Sequence, residues 1–281
     1  MNLFTIGMFI SFWLSMPNEQ VIFERSFSSN ELNHFIVSNL SGDVVVKAGG
    51  TDQIQVIAQL RDEELNEELS IEFKQSKDYL VIYLKTPCTK DANDIVFDPD
   101  NPSNTVSWRN NCSFNCNFEG DLSNISFEVI IPKNINVYAS TIMKGDIRVS
   151  QMDADVWVQN VNGAIDLNDV VNVSHATTVN GDIALNYSDV PGSQGEFSTI
   201  NGDIKVRTKA HINATATFKS FSGDFYTDME EISMLPSEVI EQNKENGFKY
   251  RIDESRRIKI GDGGVLLAFQ TFNGDAYLTT K

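Results

Sequence analysis

Apolar and polar residues alternate in the second half of the chain, in a pattern that returns every 18 to 21 residues. Each copy is centred on a glycine, with apolar residues two positions before it and two and four positions after it. The glycines from 145 to 223 are separated by 18, 18, 21 and 21 residues. Since successive side chains of a β-strand point to opposite faces, this alternation predicts strands whose apolar residues all lie on one buried face.

The centre of each copy reads Asn-Gly-Asp-Ile in its most regular form. Consecutive copies lie at residues 143–147, 161–165, 179–183, 200–204 and 221–225, and outlying copies lie at 40–44 and 272–276. Glycine tolerates positive φ, and aspartate accepts hydrogen bonds from nearby backbone N–H groups. We therefore expect structural roles at the repeated turns for these residues: Gly42, Asp43, Gly145, Asp146, Gly163, Gly181, Asp182, Gly202, Asp203, Gly223, Asp224, Gly274 and Asp275.

A fixed period of this length predicts an all-β solenoid with coils of about 18 to 21 residues. One coil buries nothing alone, but stacked coils share a continuous core. Further apolar pairs, such as Val156 with Val158, predict two or three short strands in each coil. The alternative is a meander of hairpins, because Asn-Gly is also a strong hairpin signal. Asn162, Asn180 and Asn201, directly before their glycines, are expected to form a stacked amide ladder.

The rest of the chain departs from the repeat. Residues 21–120 are predicted to form an N-terminal β module, in which residues 70–85 form a hairpin. The repeats then occupy 121–281, interrupted by a polar insertion at about 229–260. Within this insertion, Ser237 to Asn246 is predicted to form a short helix, because a proline and a capping serine stand at its start.

The first twenty residues differ in composition from the remainder of the chain. Leu3 to Met16 is apolar and uncharged, with the length of a signal-peptide apolar region and too short for a comfortable membrane span. No lysine or arginine precedes it, and no clean small-x-small cleavage site comes after it. We expect residues 1–20 to be a signal peptide and the mature chain, without a membrane span, to be exported to the periplasm, cell envelope or cell surface.

All three cysteines, Cys88, Cys112 and Cys116, lie in one segment rich in Asn, Asp and Pro. In an oxidising compartment this spacing predicts one disulfide, either Cys88–Cys112 or Cys88–Cys116, with one thiol left over. A zinc site would need a fourth ligand, and no histidine lies near in sequence. No metal and no cofactor is therefore predicted.

The formal net charge of −17 narrows the choice of partners. An acidic surface of this kind repels phosphate backbones, so nucleic acid is not expected as a partner. The charge carries no further information about the ligand.

The repeated aspartates are the only obvious cluster of reactive groups. Carboxylates stacked about 4.8 Å apart repel one another, so they must splay, accept hydrogen bonds or bind a cation such as calcium. Asp182 and Asp224, two copies apart in sequence, would have the spacing of an inverting glycosidase pair, about 6.5–9.5 Å. No acid stands apart from the repeat, which disfavours catalysis. Exposed aromatic residues could stack on sugars, the candidates being Trp108, Trp157, Tyr226 and Tyr277.

With these motifs, residues 30–281 resemble a bacterial adhesin family first defined as a domain of unknown function. The resemblance rests on the serial Thr-x-Asn-Gly-Asp-Ile units, the Ser41 to Val44 opening and the closing segment from Gly263 to Asp275. Lys144 and Ala164 depart from the motif in details of the turn. The resemblance implies a right-handed single-stranded β-helix in an exported envelope protein, and no particular activity.

The function predicted on this basis is that of a non-enzymatic cell-envelope adhesin or scaffold, with a surface glycan or an envelope protein as its partner. Two alternatives remain at this point. One is a polysaccharide-active enzyme built on a β-helix. The other is a periplasmic module of an envelope-stress system.

Overall fold

The structure is a computed structural model. It describes residues 20–61, 65–87, 89, 91–106, 123–237, 239–244, 247–252 and 255–281. The predicted signal peptide up to residue 19, the three cysteines and Trp108 lie outside the described residues. The described part of the chain is all-β, as the alternation predicts, with two single-turn 3₁₀ helices at Ala92–Asp94 and Pro102–Asn104.

The strands of the first half are β1 (Gln20–Ser28), β2 (His34–Ser38), β3 (Val44–Gly49), β4 (Gln53–Leu60), β5 (Ser70–Gln75), β6 (Tyr79–Lys85), β7 (Ile125–Pro132), β8 (Asn136–Ser140) and β9 (Ile147–Ser150). The central strands are β10 (Asp155–Gln159), β11 (Ile165–Val170), β12 (Asn172–Thr177), β13 (Ile183–Tyr187), β14 (Gly195–Asn201), β15 (Ile204–Thr208), β16 (Ala214–Lys219) and β17 (Phe225–Thr227). The last strands are β18 (Ile232–Leu235), β19 (Val239–Lys244), β20 (Gly247–Ile252), β21 (Arg256–Ile260), β22 (Val265–Asn273) and β23 (Ala276–Thr280).

Two large mixed sheets contain all of these strands except β19 and β20. Sheet A has the order β1-β4-β7-β3-β9-β11-β13-β15-β23-β17. Sheet B has the order β18-β21-β16-β22-β14-β12-β10-β8-β2-β6-β5. Both sheets contain strands from either side of residue 120, the boundary that the sequence predicts between two modules.

Each repeat supplies one strand to sheet B, then the glycine turn, then one strand to sheet A. We call this unit an arch. Neighbouring arches pair in parallel and in register, as where Ile165 of β11 lies between Ile147 and Ile183. The hairpin meander is therefore wrong for the repeats, because hairpin strands would pair antiparallel.

The order of the arches in space differs from their order in sequence. The arch β2–β3 lies beside β8–β9, although about a hundred residues separate them. At the other end, the C-terminal arch β22–β23 lies between β14–β15 and β16–β17. The two outlying copies of the motif thus join the same rows as the consecutive ones.

Side chains from both sheets fill one continuous hydrophobic core. The isoleucines two positions after the glycines, such as Ile147, Ile183 and Ile204, are fully buried, which confirms that part of the pattern. At about 25 cal/mol per Å² of apolar surface, each contributes roughly 1.5–3 kcal/mol. Stacking identical positions makes the core a series of layers of like side chains.

The N-terminal part adds strands at one end of each sheet, and the outermost pairings there are antiparallel. In sheet A these are β1 and β4, which follow β7 outward. In sheet B the predicted hairpin at residues 70–85 is confirmed as β5 and β6.

Residues 91–106, which we call the crossing segment, pack against the outer face of sheet B. Ile95, Phe97 and Val106 of this segment bury themselves against residues of β2, β6 and β8. A second, smaller core therefore lies outside the two-sheet stack.

The predicted helix at Ser237 to Asn246 is wrong. Val239–Lys244 forms strand β19 and pairs antiparallel with β20. Pairing with a neighbouring strand satisfies the hydrogen bonds of the backbone and overrides local helix signals.

Among the described residues, no helix has the length and apolar character needed to cross a membrane.

Candidate functional site

The repeated glycines form a single row along the turn between the sheets. An added Cβ at Gly145 would overlap the carbonyl of Gly42, and the same holds for each later arch against its neighbour. The row ends with Gly202, Gly274 and Gly223 in that spatial order. These positions require glycine because backbone passes directly over backbone.

The aspartates after these glycines hold neighbouring arches together. In five of the six, Oδ1 accepts a hydrogen bond from the backbone N–H of the equivalent residue in the next arch, and Asp224 is the last in the row. The bonds, written from the donor N–H to the acceptor carboxylate, are Asp146 to Asp43 at 2.9 Å, Ala164 to Asp146 at 2.9 Å, Asp203 to Asp182 at 2.9 Å, Asp275 to Asp203 at 3.0 Å and Asp224 to Asp275 at 2.8 Å.

Basic side chains on sheet A relieve the repulsion between stacked carboxylates. Arg148 bridges Asp43 and Asp146 at 3.1 and 2.7 Å. Lys205 lies 3.1 Å from the carboxylate of Asp203. The hydrogen bond from the N–H of Asp275, followed by the Lys205 ammonium, lowers the pKa of Asp203 below its ordinary value. Among the described residues, no group of three His, Cys, Asp or Glu is placed to hold a metal ion.

The asparagines before the glycines form a ladder of side-chain amides. Asn180 donates to Asn162 at 2.8 Å, Asn201 donates to Asn180 at 2.8 Å, and Asn273 donates to Asn201 at 3.0 Å. The amide groups therefore satisfy one another along the stack. A ladder was expected at Asn162, Asn180 and Asn201, and the C-terminal arch extends it.

Burial is the reverse of the prediction at the two positions directly before each asparagine of the ladder. Ile200 and Phe272, expected inside, are 46% and 49% exposed. Thr199, one position earlier, is 2% exposed and donates to the Gly181 carbonyl at 3.0 Å. Alternation along β14 places Phe197 and Thr199 inside, so Ile200 points to solvent, and the phase of the alternation changes only at the glycine turn. The inner position lies against backbone carbonyls, and a hydroxyl can satisfy these.

The proposed pair of catalytic carboxylates is not brought together. Asp203 and Asp275 both lie between Asp182 and Asp224 in the row, because the C-terminal arch is inserted there. At about 4.8 Å per strand, three spacings separate the pair by roughly 14 Å. This exceeds the separation of an inverting pair.

A cavity of about 400 Å³ opens on the outer face of sheet B. Its floor is formed by β2, β8 and β10, and one wall is formed by the crossing segment. Apolar surface comes from Trp157, Tyr138, Pro102 and other residues, while Gln159 and hydroxyl groups add polar atoms. Pockets of this size and mixed lining are typical of small-molecule sites.

Aromatic residues on either side shape this cavity. Trp157 and Tyr138 are in register on adjacent strands, yet their rings pack on opposite neighbours. Trp157 stacks on His175 with centroids 5.0 Å apart and an interplanar angle of 12°. Tyr138 contacts Phe97 edge-on at 4.9 Å, and its hydroxyl lies 3.2 Å from His34 Nδ1. The cavity lies where the two rings part.

The histidines beside the cavity are held neutral by their surroundings. Burial lowers the pKa of His175, although Glu196 partly opposes this effect. Burial also lowers the pKa of His34, with Asp78 acting in the opposite direction. At neutral pH both rings therefore act as uncharged packing groups.

A second cavity, of about 420 Å³, lies beside the start of the insertion. Asp228, Glu230 and Glu231 line it together with His211. The carboxylate of Asp228 already accepts hydrogen bonds from the backbone N–H and hydroxyl of Thr280, at 2.8 and 2.9 Å. One of the carboxylates that line this acidic cavity therefore holds the C-terminal strand β23 in place.

Of the aromatic candidates, Trp157 lines the cavity on sheet B. Tyr226 and Tyr277 instead stack on one another at 5.0 Å on the outer face of sheet A. The alternation Val156-Trp157-Val158 shows that Trp157 points outward, but nothing in the sequence identified Tyr138, Gln159 or the crossing segment as its neighbours.

No protein-family model and no curated protein matches the chain. Among solved structures, a "putative cell adhesion protein" from Clostridium sporogenes ATCC 15579 is similar, at 10% identity and a TM-score of 0.47, covering 95% of this chain and 100% of that one. A "putative lipid binding protein" from Parabacteroides distasonis ATCC 8503 has 10% identity and a TM-score of 0.30, covering 93% and 97%. A "putative adhesin" from Parabacteroides merdae ATCC 43184 has 10% identity and a TM-score of 0.27, covering 94% and 97%. At these values no likeness defines the function of the chain.

Proposed function

We propose that the chain is a non-enzymatic, exported cell-envelope protein that acts as an adhesin or scaffold. In this proposal the parallel arches form a right-handed, single-stranded β-solenoid. A connection that joins two parallel strands of the same sheet is right-handed in nearly all proteins. This supports the right-handed course of the arches. The cavity beside Trp157 is the place where this scaffold contacts its partner.

A rigid scaffold is supported by how the repeated groups are used. Glycine carbonyls, aspartate carboxylates and asparagine amides bond from arch to arch. Each net hydrogen bond contributes about 0.5–1.5 kcal/mol, and the rows act together along the stack. Carboxylates engaged with backbone N–H groups have an evident structural role, which favours a scaffold over a hydrolase.

The observation that carries the proposal is the position of the cavity. It lies where the crossing segment, which does not belong to the repeat, packs on sheet B beside Trp157. Binding residues are commonly carried by irregular segments on a rigid frame. An adhesin needs such a site at its surface, whereas a purely structural spacer does not.

The test is an array of surface glycans and matrix proteins probed with the full chain, with and without calcium. We expect binding that Trp157→Ala abolishes and calcium does not change. Tyr226→Ala is the matched control, because Tyr226 is an outward aromatic far from the cavity on sheet A. Absence of binding to every component would refute the adhesin role, and retention of the full chain in the cytoplasm would refute export.

A further inference from the structure

We infer that the cavity beside Trp157 binds the ring of a neutral sugar. The inference rests on the proposed binding function and adds the chemical class of the ligand. Three properties of the cavity support it: its aromatic surface, its unpaired amides and its lack of charge.

The aromatic surface suits a pyranose ring. Trp157 and Tyr138 both contribute to the lining, and Pro102 and Val106 face them from the crossing segment. A sugar ring has a face of C–H groups that packs on indole and phenol rings, and a rim of hydroxyls that needs polar partners. The stack on His175 fixes the indole of Trp157, so little conformational entropy is lost when a ligand packs on it.

Two amide groups offer hydrogen bonds that the described part of the chain does not use. Gln159 and Asn104 both line the cavity. Neither side-chain amide has a hydrogen-bond partner among the described residues. An amide both donates and accepts, which matches the paired donor and acceptor character of sugar hydroxyls. Ser38 and Ser140, whose hydroxyls lie 2.8 Å apart, add a further polar pair at the floor.

No charged side chain lines the cavity in the part of the chain that the structure describes. This is notable on a chain with a formal net charge of −17. A phosphate, a uronate or an amine would lose hydration on entering without gaining a counter-charge. A purely apolar ligand would leave the two amides unpaired, which also costs binding free energy. A neutral polar ring avoids both penalties.

The test is saturation-transfer NMR and calorimetry on the full chain with free sugars. The probes are the methyl glycosides of glucose, galactose and mannose, and N-acetylglucosamine. Glucuronate, glucosamine and decanol serve as the acidic, basic and apolar comparisons. We expect at least one neutral sugar to bind, and the charged sugars and decanol to bind at least tenfold more weakly.

Two variants locate the site. Gln159→Ala should weaken sugar binding about fivefold or more, since it removes hydrogen bonds without touching the core. Gln270→Ala, on the same outer face of sheet B but away from the cavity, should leave the affinity unchanged. Equal effects of the two variants, or preferred binding of decanol or a charged sugar, would overturn the inference.

The outcomes separate this inference from the proposed function. If the array shows a bound envelope partner but no neutral sugar binds in solution, the ligand class is wrong and the adhesin role stands. If neutral sugars bind with the expected dependence on Gln159 but the array shows no attachment, the cavity assignment stands and the adhesin role fails.

Discussion

Replacing Gly274 with alanine tests the packing of the C-terminal arch. Gly274 has φ +145°, and the added Cβ would overlap the carbonyl oxygen of Gly202 in the adjacent arch. Neither backbone is free to move apart, because the N–H of Gly202 donates to Asn273 and that of Gly274 donates to Ser222, at 3.0 and 3.1 Å. The substitution therefore introduces backbone strain and a steric overlap at the same place.

The expected loss can be estimated from these two terms. An L-residue held in a sparsely populated region of φ and ψ costs of order 1–3 kcal/mol. Weakening two backbone hydrogen bonds adds about 0.5–1.5 kcal/mol each. A loss of about 3 kcal/mol or more lowers the melting temperature of a chain this size by roughly 10 °C.

The assay is thermal and urea denaturation followed by circular dichroism. Gly50→Ala is the matched control, because an added Cβ there meets no atom within 4 Å and φ is not in the left-handed region. Its free energy of unfolding should change by less than about 0.5 kcal/mol. If Gly274→Ala melts within about 2 °C of the wild type, the insertion of the C-terminal arch beside Gly202 is refuted.

Four further substitutions probe burial and protonation by urea denaturation. Burial raises the pKa of Asp155, so its ionised form destabilises the fold above about pH 4. The Asp155→Asn variant should therefore be more stable than the wild type at pH 7, and this difference should disappear at pH 4. Burial lowers the pKa of His175, so stability should fall as the pH drops below about 6.5, and His175→Phe should reduce this dependence. Thr199→Val should cost about 0.5–1.5 kcal/mol through its lost hydrogen bond, while Ile200→Ser should cost less than about 0.5 kcal/mol. A flat pH response, or a reversed order of Thr199 and Ile200, would contradict the corresponding assignment.

The period of the sequence predicts the strands because burial repeats with it. Positions two and four after the glycines, such as Ile183 and Leu185, are buried as alternation requires, except after Gly223 at the end of the row, where Phe225 and Thr227 are half-buried. Alternation continues along β14, where Phe197 and Thr199 are inside and Ile200 is outside, but its phase changes at the glycine turn. Period-two reasoning assumes a continuous strand, and a turn changes which way the next side chain points.

The order of the arches could not be predicted from sequence copies alone. Equivalent motifs at Gly42 and Gly274 fit any neighbouring arch equally well, since each presents the same glycine, aspartate and apolar layers. What decides the order is where the connecting segments can run, and these do not repeat. The predicted separation between Asp182 and Asp224 was wrong because it assumed that the arches stack in sequence order.

The cavity arises where the self-pairing of the repeats is interrupted. Along the ladder each asparagine finds another asparagine in register, so its amide is satisfied by the stack. Gln159 instead has Ser140 and Thr177 as its register partners, and neither offers an amide. Its hydrogen-bonding groups remain available on a surface that is rigid on both sides. Such a mismatched position leaves groups that can bind other molecules, and the crossing segment encloses the one beside Trp157.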